Sequence, residues 1–204
     1  MHYLHNTVIF EPLIPVIIGF FNYQRLRDKL SKPFLLYLIL LSILEIVCLY
    51  LSFQSKSNHF FYNLIDLITI IFFTYIFCIE RNKILVLVLG LVFIFSLLNF
   101  FFRDPFFINE MNYSLIYISV GFTSLFYISM SVKSKNSLSF DSFRFWFFSG
   151  FLISSLTTIN LYIFLPRIIL LDPSHVLVQY YSFFNFIGST LQYFCFSIAF
   201  LCKK

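Results

Sequence analysis

The chain has 204 residues, of which 60% are hydrophobic and only 11% are charged, and its mean hydropathy is +0.89. Soluble domains ordinarily carry about 25% charged residues, so this composition excludes an ordinary soluble protein. The net charge of +5 needs no nucleic acid to explain it, because basic residues are expected where a membrane protein meets anionic lipid headgroups. The apolar runs are continuous rather than alternating, which indicates helices and not the strands of a transmembrane barrel.

Seven apolar segments, separated by clusters of Lys, Arg, Pro or Asn, are candidate spans of a bilayer core about 30 Å thick. In chain order the predicted spans are 7–23, 33–53, 59–79, 84–102, 112–132, 143–165 and 176–202. The first is the weakest, since Glu11, Pro12 and Pro15 interrupt it. We therefore predict an all-α fold in which residues 1–204 form a single polytopic transmembrane bundle of seven helices.

Lysine and arginine residues divide unevenly between the two sets of short loops. The loops after the first, third and fifth predicted spans, together with the C-terminus, carry eleven of the 14 Lys and Arg residues. The other side carries Lys56, Arg103 and Arg167. Because positively charged loops stay in the cytoplasm, we predict an outside N-terminus and a cytoplasmic C-terminus, in a bacterial inner membrane.

Three carboxylates, Glu11, Glu45 and Asp66, fall inside predicted spans, in the outer half of each. Ionisable residues at such depth are costly, and they mark functional sites or pairs inside the bundle. Glu45 and Asp66 stand at similar distances from the loop that joins their spans, so we expect them to face each other. Without a basic neighbour they cannot both stay ionised cheaply, and we expect the pair to share a proton, a cation or a cationic ligand. Arg103 is the nearest candidate countercharge.

Polar residues line one face of the third and of the seventh predicted helix, at spacings of three and four. The first stripe consists of His59, Tyr62, Asn63, Asp66 and Thr69, and the second of Gln179, Ser182, Asn185, Ser189 and Gln192. These groups either bond neighbouring helices or line an outward-facing acidic cavity for a cation, a proton or a small ligand. The candidate ligand-binding residues are Glu11, Glu45, His59, Asn63, Asp66, Gln179, Asn185 and Gln192.

The sixth predicted span carries two packing patterns. Gly150, Ser154 and Thr158 recur at intervals of four, which allows another helix to approach closely, inside the bundle or between protomers. The aromatic run 143–148 is typical of an aromatic belt at the inner membrane interface. Both patterns predict structure rather than chemistry.

Enzyme, cofactor and metal sites are not indicated by the sequence. A His-Glu-x-x-His zinc motif, a Gly-x-Ser-x-Gly elbow and a P-loop are all missing, and no Lys between Lys135 and Lys203 is available to hold retinal. The four histidines have no spacing that is diagnostic of a metal site. We expect no catalysis, no metal, no cofactor and no nucleic-acid partner.

Four segments carry a resemblance to a known family: 40–45 in the second span, 60–66 in the third, 145–153 in the sixth and 185–204 at the end. Their order resembles an uncharacterised family of small polytopic, seven-helix bacterial membrane proteins that are sometimes encoded beside sensor histidine kinases. The resemblance covers the chain from about residue 33 onward and implies a sensing or regulatory role, with no catalytic residues. A second likeness, to small accessory membrane proteins of phage-defence loci, implies a regulator or a membrane-disrupting effector.

The leading functional prediction is a receptor-like or regulatory membrane module. With short loops and no output domain, any signal must leave through a protein partner, or a second copy of the chain, that contacts the basic loops 25–32 and 133–144. A small ion or solute channel or transporter is the alternative. Transporters usually show inverted halves with broken helices at the midplane, whereas only the first span here is broken by proline.

The predicted topology has a direct test. A reporter that is active only in the cytoplasm, fused after Lys204, is expected to give signal, because the positive-inside rule places this end in the cytoplasm. The same reporter fused ahead of Met1 is the matched control and is expected to be silent. Signal from the N-terminal fusion alone contradicts the topology.

Overall fold

The computed structural model describes residues 11–102, 110–133, 142–171 and 176–202, and side chains within them except at 110, 131–133, 160–171 and 176–182. A 3₁₀ turn at Tyr23–Arg25 separates the first two of seven α-helices. The helices are α1 Leu13–Phe21, α2 Ser31–Phe53, α3 His59–Ile79, α4 Lys83–Phe102, α5 Glu110–Lys133, α6 Phe143–Leu171 and α7 Val176–Leu201. These ranges contain no strand, so the all-α prediction is confirmed.

Five helices are long and apolar enough to cross a membrane in the described part of the chain. These candidate spans are Ser31–Phe53, His59–Ile79, Lys83–Phe102, Met111–Met130 and Phe183–Leu201, with a shorter apolar stretch at Phe143–Ile159. The nine residues of α1 reach only about 14 Å at 1.5 Å per residue, and residues 7–10 of the first predicted span lie outside the described residues. Five helices of this kind indicate a membrane protein.

The helix ends agree with the predicted spans to within two residues, except at the start of α1, which begins at Leu13 rather than at residue 7, and at the end of α6. We predicted that the sixth span ends at Leu165, because Pro166 and Arg167 follow, but α6 continues to Leu171. Proline removes one backbone hydrogen bond, which a long membrane helix tolerates where its surroundings satisfy the freed group. Proline therefore does not end this helix.

Tight turns join α2 to α3 and α3 to α4. Ser55 and Arg81, just beyond the ends of α2 and α3, adopt left-handed conformations with φ of 54° and 56°. In each turn the next N–H donates to the carbonyl five residues earlier, at 3.0 Å and 3.1 Å. These are Schellman motifs, which usually place glycine at the left-handed position. They reverse the chain at once and make consecutive helices antiparallel neighbours.

The helices pack beside their neighbours in chain order, and α7 closes the arrangement against α1. α1 also contacts α2, and α3 also contacts α5. A Cβ placed on Gly19 of α1 would lie 2.7 Å from the Leu35 side chain and 3.4 Å from the Phe200 ring. The short α1 is thus held closely between α2 and α7.

A group of buried phenylalanine rings, which we call the aromatic core, fills one half of the bundle. It lies towards the end at which α2 and α6 begin and α3 and α7 finish. Phe34 of α2 is fully buried at its centre, with ring centroids 4.7 Å from Phe147 and 4.8 Å from Phe196, both edge-on. The members are Phe34, Phe72, Phe73, Phe143, Phe147, Phe151, Phe196 and Phe200. Such pairs add roughly 0.5–1.5 kcal/mol each beyond the area that they bury.

The aromatic-belt interpretation of residues 143–148 is wrong for half of that run. Phe143, Phe147 and Phe148 are buried in the bundle, while Phe145 and Trp146 are half-buried. One turn of an α-helix holds 3.6 residues, so a continuous aromatic run has both inward and outward members. The inward members build the core instead of marking the interface.

Glycine at positions 150 and 188 is expected to be required for the packing of α6 on α7. A Cβ at Gly188 would overlap the Thr157 side chain, and one at Gly150 would overlap the Phe196 ring and lie 3.2 Å from the Gln192 carbonyl oxygen. We expect Gly150→Ala and Gly188→Ala to lower the free energy of unfolding by roughly 1–3 kcal/mol, through overpacking. Thermal and denaturant unfolding in detergent measures this.

Gly90 of α4 supplies the matched control, because a Cβ there meets nothing within 4 Å. Gly90→Ala should leave stability unchanged or raise it by up to about 1 kcal/mol, since alanine favours the helix. Equal stabilities for all three variants would show that α6 and α7 do not approach this closely.

Candidate functional site

Glu11, Glu45 and Asp66, which the sequence predicts within spans, lie in the half of the bundle away from the aromatic core. Glu11 stands in the turn that leads into α1, where its carbonyl accepts the N–H of Ile14 at 3.2 Å. Glu45 belongs to α2 and Asp66 to α3. Asp66 is 1% exposed and Glu11 9% exposed, whereas Glu45 is half-buried. Three separate parts of the chain therefore bring acidic groups into this half.

Hydroxyl groups from α5 and α7 meet these carboxylates. Thr190 of α7 donates a hydrogen bond to Glu11 Oε1 at 2.6 Å, and one turn further along, Tyr193 donates to Glu45 Oε1 at 3.4 Å, which is long for such a bond. The Tyr117 hydroxyl of α5 is hydrogen-bonded to Asp66. We call these six residues the acid–hydroxyl cluster. Every carboxylate in it is tied to a helix distant in sequence.

Tyr37 connects this cluster to the aromatic core. Its hydroxyl lies 3.0 Å from Thr69 Oγ1, and because Thr69 already donates to the Ile65 carbonyl at 2.8 Å, Tyr37 is the donor. Its ring stacks on Phe72 with centroids 4.4 Å apart. Tyr37 interacts electrostatically with both Glu45 and Asp66. A change in the charge of Glu45 or Asp66 therefore alters the electrostatic environment of Tyr37, which packs on the aromatic core.

The carboxylates lack a cationic partner among the described residues. The only ion pairs there involve Arg144, and Lys56 is exposed in the α2–α3 turn. The predicted countercharge Arg103 lies outside the described residues. Glu11 Oε2 and Asp66 Oδ2 are both buried without a hydrogen-bond partner in the described part of the chain. An ionised carboxylate held this way is strongly disfavoured unless something neutralises it.

A metal ion has no ready set of ligands at this place. The described residues contain no group of three His, Cys, Asp or Glu side chains arranged to hold one. Each carboxylate instead meets its own hydroxyl group.

The α3 stripe faces the bundle interior as its spacing indicated. Asn63 and Thr69 are buried beside Asp66, at 4% and 2% exposure. His59 and Tyr62 are half-buried, and the His59 Nδ1 atom is buried without a hydrogen-bond partner among the described residues. The stripe thus descends from the α2–α3 turn to Asp66.

The predicted α7 stripe is described only in part. Asn185 and Gln192 are half-buried, Ser189 donates to the Phe186 carbonyl of its own helix at 2.9 Å, and the side chains of Gln179 and Ser182 lie outside the described part. The expected face-to-face pairing of Glu45 with Asp66 stays a prediction. Glu45 accepts a hydrogen bond from Tyr193 and interacts electrostatically with Glu11, Tyr37, Cys48 and Tyr62.

Sequence reasoning missed the residues that bind the carboxylates, namely Tyr117, Thr190 and Tyr193. Thr190 directly follows Ser189 of the predicted stripe, and Tyr193 lies four residues beyond Ser189, on the same side of the helix. Tyr117 and Tyr193 could not be singled out by residue type in a chain with 13 tyrosines. A search for hydroxyls beside the α7 amide stripe would have found Thr190 and Tyr193 but not Tyr117, which lies on α5.

A second polar group, the Arg144 cluster, lies at the opposite end of the bundle. Arg144 Nε contacts Asp28 Oδ2 at 2.7 Å and Nη1 contacts Glu80 Oε1 at 2.9 Å. Nη1 also donates to the Tyr127 hydroxyl at 2.7 Å. The planar guanidinium fork suits several acceptors at once. Through these contacts Arg144 links α6 to the start of α2, to the end of α3 and to α5.

Local capping positions the members of this cluster. Asp28 Oδ1 accepts the N–H of Leu30 at 2.8 Å, and Ser142 Oγ accepts the N–H of Phe145 at 3.2 Å. The first contact fixes the turn just before α2, and the second satisfies a free donor in the first turn of α6. The sequence predicts that Arg144 belongs to the basic loop 133–144, where it is available to a protein partner. The structure instead pairs it with Asp28 and Glu80 inside the bundle, with 28% of its side chain exposed.

Arg144→Gln is expected to destabilise the bundle, because it leaves the Asp28 and Glu80 carboxylates without a countercharge. The expected loss of unfolding free energy is roughly 1–3 kcal/mol, which lies between the values for exposed and for buried ion pairs. Arg144→Lys should recover part of the loss, since lysine keeps the charge but not the fork. Equilibrium unfolding in detergent measures both. Arg81→Gln, an exposed arginine at the same end, is the control, and an equal loss there would contradict a specific role for Arg144.

Comparison with known proteins gave no match to a family model, to a curated protein or to a solved structure. The resemblance to small bacterial polytopic membrane proteins therefore stays a prediction. Function must be argued from the two polar clusters and the surface of the bundle.

Proposed function

We propose that this protein is a non-catalytic, receptor-like regulatory module that responds to protons at the acid–hydroxyl cluster. It would cross a bacterial inner membrane seven times, with the C-terminus in the cytoplasm, as the distribution of Lys and Arg residues predicts. The observation that carries the proposal is that Glu11 and Asp66 each bury a carboxylate oxygen without a partner, while no described cation reaches them.

The electrostatic surroundings support a proton as the neutralising species. The titratable groups in and around the cluster are Glu11, Tyr37, Glu45, Cys48, His59, Tyr62, Asp66, Tyr117 and Tyr193. Of these only His59 can become positively charged, and it stands at the start of α3, about two turns from Asp66. Adding a proton removes a buried negative charge without requiring a ligand cage.

Proton uptake would change the bonds between helices. A carboxylate only accepts hydrogen bonds, whereas a protonated carboxyl group also donates one. The bonds from Thr190 and Tyr193 connect α7 to Glu11 and to α2, so their donor and acceptor roles depend on the charge of each carboxyl group. The α7 rings Phe196 and Phe200 pack against Phe34 and would transmit a shift of α7 to the other end.

The opposite end of the bundle offers a surface for output. Six basic side chains there are exposed: Arg25, Arg27, Lys29, Lys32, Arg81 and Lys83. A protein partner with an acidic face, or a second copy of the chain, is the proposed recipient of the signal, because the described residues include no soluble output domain. Arg144 is excluded from this surface by its ion pairs.

The test compares the pH dependence of unfolding for the full chain in nanodiscs. Because folding encloses the carboxyl groups without a cation, removing their protons places uncompensated charge in the bundle. Stability should therefore fall as pH rises and the carboxyl groups of Glu45 and Asp66 lose their protons. Glu45→Gln and Asp66→Asn should flatten this dependence while the protein still folds.

Two tyrosine variants serve as a matched pair in the same measurement. Tyr193→Phe removes the hydroxyl that reaches Glu45 and should alter the pH profile, whereas Tyr50→Phe, on a side chain 61% exposed, should not. A wild-type profile that is flat, or that survives in both acid variants, overturns the proposal. Cation flux into liposomes that Asp66→Asn abolishes would favour a transporter instead.

A further inference from the structure

A large apolar groove opens on the outer surface of the bundle, near the end with the basic side chains. Its walls are the end of α1 with the 3₁₀ turn, the first half of α2 and the second half of α3. It has a volume of about 1220 Å³, above the roughly 300–1,000 Å³ of common ligand pockets. α1 ends at Phe21, and the 3₁₀ turn Tyr23–Arg25 that follows forms part of the wall of the groove.

The groove is lined by side chains that suit hydrocarbon. Leu36 and Ile71 are 68% and 48% exposed, and Tyr75 is 49% exposed. Its floor is formed by buried Tyr37 and Phe72. Because the five candidate spans place this region beside lipid, the groove can admit an acyl chain laterally from the bilayer.

Positive charge gathers at the polar mouth of the groove. Lys32 is one of its lining residues, and its Nζ lies 5.1 Å from the centroid of the Tyr23 ring, a cation–π contact that holds the ammonium in place. Arg25 and Lys29 are exposed nearby in the chain. The carboxylate between them, Asp28, is already paired with Arg144. The mouth therefore has uncompensated positive charge.

We propose that this groove is a binding site for one anionic phospholipid, with the phosphate at Lys32 and an acyl chain between α1, α2 and α3. Charge complementarity selects this occupant: basic pockets between membrane helices bind anionic headgroups, and an apolar floor excludes a purely polar anion. The site uses none of the three carboxylates, but it shares Lys32 with the proposed output surface, and its floor residue Tyr37 interacts electrostatically with Glu45 and Asp66.

Native mass spectrometry of the full chain in detergent tests the proposal, with phosphatidylglycerol as the probe and phosphatidylcholine as the zwitterionic comparison. We expect one phosphatidylglycerol to be retained per chain and phosphatidylcholine to bind more weakly. Lys32→Gln should weaken phosphatidylglycerol binding about fivefold, the effect of losing one cation near an anionic headgroup. Leu36→Trp should abolish retention by filling the groove.

Two variants on other surfaces control for charge and for added bulk. Lys83→Gln removes an exposed cation at the same end, and Leu87→Trp enlarges a side chain of α4 that is 64% exposed. Both should retain phosphatidylglycerol as the wild type does, with unchanged melting temperatures for all four variants. Equal binding of the two lipids, equal losses in the controls, or a dimer that Leu36→Trp converts to monomer with lipid binding unchanged would overturn the proposal.

Discussion

Burial of the Phe34 ring, where α2, α3, α6 and α7 meet, is the contact on which the rest of the bundle depends. Its centroid lies 4.7–6.1 Å from rings on each of the other three helices. Lipid tails are as apolar as the core, so close packing rather than escape from water must hold membrane helices together. Interlocking rings provide that packing. They also fix which ends of the four helices lie together.

The two ends of the bundle handle charge in opposite ways. At the Arg144 cluster one guanidinium contacts two carboxylates and a phenol, so the charges are satisfied within the structure. At the acid–hydroxyl cluster the hydrogen bonds described for the carboxylates come from hydroxyl groups. Glu11 Oε2 and Asp66 Oδ2 have no hydrogen-bond partner there among the described residues.

Helical structure was predictable because it follows from composition and run length. A continuous apolar run in a bilayer must satisfy its own backbone, so helix bounds could be read from where charged residues and turns interrupt the runs. The α6 helix continues six residues beyond the predicted end of the sixth span at Leu165, since proline is a weaker stop inside a membrane than in water. Burial of Asp66, Asn63 and Thr69 was also readable, because their spacing places them on one face.

The hydrogen-bond and ion-pair partners of the polar residues were far harder to predict than the helix faces on which those residues lie. Glu11 lies 179 residues from Thr190, and Arg144 lies 116 residues from Asp28, and no local pattern records such contacts. Charge counting placed Asp28, Glu80 and Arg144 on one side of the membrane, yet it could not show that they pair. Packing fixes the rotation of each helix about its axis. In a phenylalanine-rich chain, however, the order of apolar residues along a helix says little about which of them pack inward.

The closing contact of α7 against α1 has a consequence for how the protein is made. The part of the chain up to the end of α3 leaves the ribosome first and carries Glu11, Glu45 and Asp66, while Thr190 and Tyr193 arrive with the final helix. Until α7 docks, Glu11 and Glu45 are without the hydroxyl groups that bind them. Completion of synthesis, rather than folding of the early helices, is therefore the step at which these two carboxylates gain their hydroxyl partners. A chain that stalls before α7 would present unpaired acids to the machinery that removes misassembled membrane proteins.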